Sequence, residues 1–291
     1  MVIYLIHIIK YILHIIIEFM NQIINKIYPQ SKKAVYQAKN LFLEPVLSRL
    51  NGQKPTYFAN FLMSFDGRIA IFNKKYRKLL TPRSIKSDID FSLFCQLQAQ
   101  ADCLVTNTSY INGLSKGYYG NILSTKDEAL KNWRIKNNIK RQDIILLSNS
   151  LNFPINKHLE LYKDRMIILS TAQNTKKYNQ LKEKNFNIIK CSGNNVSANK
   201  LNNLVIKNKY KAVYFIAGPR IVEQMISKNL IDRYYCSICL SMLGTEKYDT
   251  IIRGDFLKKA INLELIEMYI HTQMKNKTKE QMLFQIYNLK D

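Results

Sequence analysis

The sequence predicts an α/β protein: a mixed, mainly parallel sheet flanked by helices. Two observations lead there. From Pro55 onward, short runs rich in aliphatic and aromatic residues alternate with longer amphipathic stretches, the rhythm of parallel strands joined by helices. At the C-terminal end, three strand-like runs follow one another without a helix, which marks an antiparallel edge. The 291 residues, 47% hydrophobic and 22% charged, suffice for one large domain or two small ones.

The first element is "MVIYLIHIIKYILHIIIEFMNQIINKIY". His7, Lys10, His14 and Glu18 interrupt it at spacings of three and four, and Asn21, Gln22 and Asn25 continue the series. That spacing predicts a helix with one narrow polar stripe. Its longest apolar run is shorter than the roughly 18 residues a membrane-spanning helix needs. Three readings stay open: docking on the domain or on a sister subunit, peripheral membrane contact through residues 1–27, or translation starting at Met20. "YPQSKKAVYQAKN" reads as a polar linker into another helix. Residues 1–40 are therefore assigned to a helical extension and linker, and 41–291 to the main domain.

"YFANFLMS" and "RIAIF" read as strands, and Asp66-Gly67 between them is a hairpin signal. A helix is expected over about 83–101, then the strand "DCLVT", then a Lys-rich helix over 126–138. "DIILLS" and "RMIILS" are strands. Residues 175–184 form a helix, "NFNIIKC" a strand, 197–207 a helix, "KAVYFIAG" a strand and 219–228 a helix. "RYYCSICL", "LELIEMYIH" and "EQMLFQIY" complete the sheet.

In open sheets of this kind, ligands bind beyond the carboxyl ends of parallel strands. Two places qualify. Thr106-Asn-Thr-Ser-Tyr110 leaves "DCLV" as a hydroxyl-rich loop. Ala217-Gly218-Pro219-Arg220 follows "AVYFI" and opens a helix, with proline suited to the first turn and free N–H groups suited to a phosphate.

The formal net charge is +23, with lysine far in excess of arginine and scattered along the chain. It reads as a solvated basic surface or as a field that draws in an anionic ligand. No nucleic-acid-binding signature accompanies it, and no nucleic-acid partner is expected. Five dispersed cysteines argue against a disulfide framework and suit a reducing, cytoplasmic setting. Cys236 and Cys239 lie three apart in a strand, on opposite faces, so no metal is expected. His158 and His271 read as surface or capping residues, and no general base is assigned.

The order of motifs adds a resemblance. "SFDGRIA" resembles the S-L-D-G-R-x-A signature of the riboflavin-biosynthesis reductases, the C-terminal domain of bifunctional RibD within the dihydrofolate reductase-like superfamily. "LQAQADCLVTNTSY", "LSNSLNFP" and "FIAGPRIVEQMISKNLIDRYYCSICLSMLG" resemble that family's later segments, in family order, over roughly residues 42–291. The resemblance implies NADPH-dependent hydride transfer to a phosphorylated ribosylaminopyrimidine or a related small heterocycle, in a homodimer. By position it implies a catalytic neighbourhood at Ser64 and Asp66. Met63, Thr106, Thr108, Tyr110, Gly218, Pro219, Arg220 and Ile221 would touch the cofactor, with Met63 and Ser64 near the nicotinamide.

Two departures stand out. The family's substrate-binding Arg of L-R-A is Gln98 here, and its acidic residue before G-G-P is Ile216. These are the substrate-side positions, and both have lost their charge. They keep open a second expectation, a non-catalytic dimeric or membrane-tethered paralogue that kept the fold. The deaminase half of the bifunctional protein is missing, since no H-x-E with P-C-x-x-C occurs.

Overall fold

Strand "TYFANFLMS" is apolar on both sides, and it takes the place such a strand must take, inside a sheet covered on both faces. The computed structural model describes residues 22–44, 46–139, 142–172, 175–216, 218–253, 257, 260–275 and 278–290. The strands are β1 (Ile23–Tyr28), β2 (Val35–Gln37), β3 (Thr56–Ser64), β4 (Ala70–Asn73), β5 (Lys78–Leu80), β6 (Cys103–Asn107), β7 (Asp143–Ser148), β8 (Met166–Ser170), β9 (Asn187–Lys190), β10 (Ala212–Phe215), β11 (Arg233–Cys239), β12 (Tyr248–Asp249), β13 (Asn262–Lys275) and β14 (Thr278–Lys290). The helices are α1 (Asp88–Gln100), α2 (Thr108–Ser115), α3 (Glu128–Lys136), α4 (Lys157–Leu161), α5 (Thr175–Glu183), α6 (Ala198–Lys207) and α7 (Pro219–Ile226).

Eleven strands form one sheet in the order β2-β1-β13-β14-β11-β3-β10-β6-β7-β8-β9. From β11 to β9 every neighbouring pair is parallel. The β14, β13, β1 and β2 side is antiparallel. This is the expected mixed, mainly parallel sheet. One apolar layer packs α1, α2, α4 and α5 on the first face, and another packs α6 and α7 on the second. Cys236 joins the second layer and Cys239 the first, the opposite facing expected of residues three apart.

Three expectations are corrected. Residues 23–28, expected at the end of the N-terminal helix, form β1, which pairs with β13. The helical spacing does not govern there, because "IINKIY" finds a sheet edge to complete. Val35–Gln37, expected within a linker, is β2. Residues 1–21, which carry most of the expected helix, lie outside the described residues. Second, Asp66-Gly67 makes a turn but not a hairpin. Gly67, at φ +79°, donates to Ser64 O at 2.9 Å, yet β4 leaves for a separate sheet of order β12-β4-β5. Third, His271 is 2% exposed inside β13, with Nδ1 2.9 Å from Ile23 O. It ties β13 to β1 instead of lying on the surface.

The segment between β2 and β3 is irregular, so its backbone needs other partners. Two glutamines one turn apart on α1 supply them. Gln96 accepts from Phe42 N (2.8 Å) and donates to Ala38 O (2.7 Å). Gln100 accepts from Leu47 N (2.8 Å) and donates to Phe42 O (2.5 Å).

Candidate active site

Strands β6 and β10 are adjacent and parallel. The chain leaves their carboxyl ends in opposite directions. After β6 it enters α2 on the first face and moves outward to β7; after β10 it enters α7 on the second face and crosses β3 to β11. Such a divergence opens a crevice at the strand ends. Register fixes what lines it. Phe215 sits beside Ala59 and Val105, so the next residues, Asn60, Ile216 and Thr106, share a row on the α1 face. Ile216 N donates to Val105 O at 3.0 Å, which continues the ladder by one residue. Thr106 is fully buried and its hydroxyl has no partner.

The two helix starts differ. The expected 106–110 loop is the end of β6 and the first turn of α2, capped by Asn107, whose side chain accepts from Tyr110 N at 3.0 Å. Thr108 Oγ1 donates to Leu147 O at 3.5 Å. Ser87, Asp127, Asn156 and Ser197 likewise cap α1, α3, α4 and α6. At α7 the N-cap is Gly218, followed by Pro219, and no side chain caps the free N–H groups. A Cβ at Gly218 would meet only Asn107 Nδ2, at 3.6 Å. The space before α7 is therefore open, and its floor is the neighbouring helix cap. Arg220 is exposed in this first turn, while Ile221 packs on the second-face layer.

At the end of β3, Met63 leans on the second-face layer and Ser64 is fully buried on the other side. Ser64 Oγ donates to Asp66 and accepts from Arg68 N at 3.1 Å. Asp66 also pairs with Arg68 Nη1 at 2.5 Å and accepts from Leu243 N (3.1 Å) and Gly244 N (2.9 Å). The Ser64 hydroxyl first, then the Gly244 amide, hold its carboxyl down at about 2. It is an ionised strut joining the turn after β3 to the loop after β11.

Gln98 and Tyr110 point elsewhere. Gln98 Nε2 donates to Ile122 O. Tyr110 Oη donates to Gly120 O and accepts from Ile122 N, each at 2.9 Å, and burial pushes its phenol up to about 12. Both side chains brace the 120–122 segment. That segment and α1 enclose a cavity of about 500 Å³ lined by Phe91, Phe94, Cys95, Gln98, Asn121 and Lys126.

One residue was missed from sequence. Asp90 stands three residues after the Ser87 cap, and its N–H donates to Ser87 Oγ at 3.4 Å. From sequence it reads as an ordinary acid in the first turn of a helix. Its spacing to the buried Leu93 and Leu97 was the available signal, because it puts a carboxylate on the apolar stripe. It faces the sheet beside Ser237, Tyr214 and Cys236. Burial raises its carboxyl to about 6, against a smaller opposing pull from the Ser237 hydroxyl. Tyr214 stacks on Phe58 at 4.9 Å and donates to Asn60. Among the described residues no group of His, Cys, Asp and Glu is placed to hold a metal. No described helix is long and apolar enough to cross a membrane.

No protein-family model matches the sequence, and no curated protein does. Solved structures do match. A pyrimidine reductase-like protein from Corynebacterium diphtheriae superposes with a TM-score of 0.61 at 16% identity, over 82% of this chain and 93% of that one. RibD from Acinetobacter baumannii gives 0.55 at 12% identity, over 82% of this chain and 59% of that one. The riboflavin biosynthesis reductase of Saccharomyces cerevisiae gives 0.54 at 14% identity, over 86% and 99%. The fold of this chain is that of the riboflavin-biosynthesis pyrimidine reductases.

Proposed function

We propose that the chain is an NADPH-dependent reductase of a phosphorylated ribosylaminopyrimidine or a related small heterocycle. The observation that carries this reading is the pair of helix starts at the adjacent carboxyl ends of β6 and β10, one capped by Asn107 and the other left open at Gly218. An open helix start with a glycine at its mouth suits a phosphate. The residues fit the cofactor: Gly218 and Pro219 admit its diphosphate, Arg220 adds charge, and the unpartnered Thr106 hydroxyl offers a further hydrogen bond. Thr108 and Ile221 flank that opening. Met63 and Ser64 border the nicotinamide end. NADPH, when bound, supplies a hydride to an electrophilic carbon.

The chain's own contribution is orientation and exclusion of water. Asn60, Ile216 and Thr106 form the floor, and α1 forms the roof. Asp66 serves as a positioning residue, holding the β3 and β11 ends at fixed separation. Tyr110 acts through the 120–122 segment. The net charge of +23 favours an anionic cofactor and substrate. Likeness in fold to pyrimidine reductases supports the choice of acceptor.

The non-catalytic reading has one observation in its favour: Gln98 spends its amide on Ile122 O, and Ile216 brings no polar atom to the row. Following the loss of reduced-nicotinamide absorbance with the phosphoribosylaminopyrimidine as acceptor separates the two. Substrate-dependent oxidation supports the reductase; none, with cofactor bound, supports the paralogue.

A further inference from the structure

The β4–β5 hairpin is a strap of one charge. Its turn reads Lys74-Lys75-Tyr76-Arg77, and Lys78 opens β5. No acid occurs between Asp66 and Asp88, nor between Asp102 and Asp127. Asn73 Oδ1 accepts from Tyr76 N at 3.2 Å, and Arg77, at φ +51°, closes the turn. The small sheet repeats the order of the large one: β12 follows β11 and β4 follows β3, so β5 continues the series toward β10 and β6. The contacts of the tip agree. Tyr76 packs on Tyr118 at 4.9 Å, and Lys78 Nζ lies 4.9 Å from the Tyr118 ring and 5.4 Å from the Tyr119 ring. Both tyrosines follow α2. Tyr119 folds back over Gly113 and stacks on Tyr110, in the first turn of α2, at 6.0 Å. The next residue, Gly120, lines the cavity beside α1. The strap therefore reaches across the crevice from the β3 side to the β6 side and ends at the rim of that cavity.

We propose that Lys78 and Lys116, with Arg77 beside them, hold the phosphate monoester of the acceptor at the mouth of the crevice. The inference rests on the reductase reading and gives that reading's phosphate a place. Lys116 closes α2 and is exposed, as is Arg77. None of the described ion pairs involves these three residues. Two ammonium groups are thus kept close together against aromatic rings with no carboxylate between them. Burial first, then the Lys116 charge, lowers the proton affinity of Lys78, the direction expected of a cation whose countercharge is not part of the chain. Gln98 cannot take the anion, because it is uncharged and its amide is spent on Ile122 O. Ile216 has no polar atom to offer. Arg220 stands at the start of α7, on the second face, where the cofactor's diphosphate belongs. Lysines act as compact point charges, and a tetrahedral dianion can be met by several of them at once. The tyrosine rings fix the Lys78 stem and leave its ammonium free to turn toward the ligand.

The test uses the full chain at fixed ionic strength, with ribose 5-phosphate and ribose as probes, each titrated calorimetrically with and without NADPH. Wild type is expected to bind ribose 5-phosphate at one site, at least about tenfold more tightly than ribose, the worth of a charged hydrogen bond. Lys78→Met and Lys116→Met, with folding checked by thermal melting, are each expected to lose about tenfold for ribose 5-phosphate and to leave ribose and NADPH binding unchanged. Lys116 is exposed, so its variant keeps the test decisive if Lys78→Met does not fold. No preference for the phosphate in wild type, or full affinity in a folded variant of either lysine, overturns the inference. An equal loss in Lys131→Met, on the exposed side of α3, marks a diffuse basic field and also overturns it. A loss in Lys126→Met with Lys78→Met unaffected puts the phosphate inside the cavity and has the same result. If the strap governs ribose 5-phosphate binding but NADPH does not bind, the phosphate site stands and the reductase reading falls. If NADPH binds and ribose 5-phosphate does not, the reverse holds.

Discussion

Asp66 and Gly244 stand 178 residues apart and are joined by a 2.9 Å hydrogen bond from the glycine amide to the carboxylate. With Leu243 N and Arg68 on the same oxygen, this one side chain pins the loop after β11 to the turn after β3. Both lie at the carboxyl edge of the sheet, where the crevice opens, so the pin sets the shape of the crevice beside β3.

The pin is acid-labile. Asp66 titrates at about 2 when folded against 3.8 for a free aspartate. A carboxyl depressed by folding stabilises the native state above the unfolded value, and that contribution is lost as pH falls through the folded one. Urea midpoints of wild type should therefore drop more steeply from pH 4 to pH 2 than those of Asp66→Asn. Parallel slopes would show that the pin adds nothing.

Asp90 has the opposite sign. Its folded value is raised to about 6 from 3.8. The folded state then binds the proton more tightly, so its stability falls as pH rises from about 4 to about 6. The groups facing it from β10 and β11, Tyr214, Cys236 and Ser237, are neutral in this range. Asp90→Asn should gain stability at neutral pH, up to about 3 kcal/mol, and flatten the decline. Loss of stability in that variant, read by thermal melting, would mark Asp90 as a structural acid.

The N-terminal segment gives a third prediction. Starting the chain at Met20 keeps β1 and β2 and should leave the melting temperature nearly unchanged. Starting it at residue 41 removes both strands, strips the Lys26–Glu267 ion pair (2.6 Å), and bares the edge of β13. It also leaves Gln96 without Ala38 O. That protein should aggregate, as proteins with long unpaired edge strands do. Sedimentation of the two proteins decides; a monodisperse, folded product from residue 41 would contradict it.

These elements also mark where the sequence was legible. The parallel strands from β6 to β10 were readable because they are apolar on both faces and separated by amphipathic helices. β1 was not, because Asn25 prolonged the three-and-four spacing of the residues before it, and its pairing with β13 lies more than 240 residues away. α2 was hidden because Thr, Asn and Ser are poor helix formers but good caps, and Asn107 is a cap. Gly218 and Thr106 were legible as strand-end residues. Asp90 was not, since only the fold reveals that the α1 stripe carrying it lies over Ser237.

Substrate turnover gives a fourth prediction. Ile216→Glu restores, on the crevice row itself, the acid expected of the reductases; Gln98, turned to Ile122 O, is left unchanged. Turnover of the phosphoribosylaminopyrimidine should rise about tenfold or more, since charged hydrogen bonds are worth about 1.5–3 kcal/mol each. Equal rates in wild type and the variant would show that this position does not limit recognition.

The central claim is that NADPH is held at the open start of α7. Its most direct measurement is the NADPH dissociation constant of wild type and of Gly218→Val, with folding checked by thermal melting. A Cβ at Gly218 meets only Asn107 Nδ2 at 3.6 Å, so the variant should fold, while its branched side chain blocks the approach of a phosphate. The account predicts NADPH binding by wild type, weakened about tenfold or more in the variant, the loss of roughly one charged hydrogen bond. No binding by wild type, or equal constants for two folded proteins, would contradict it.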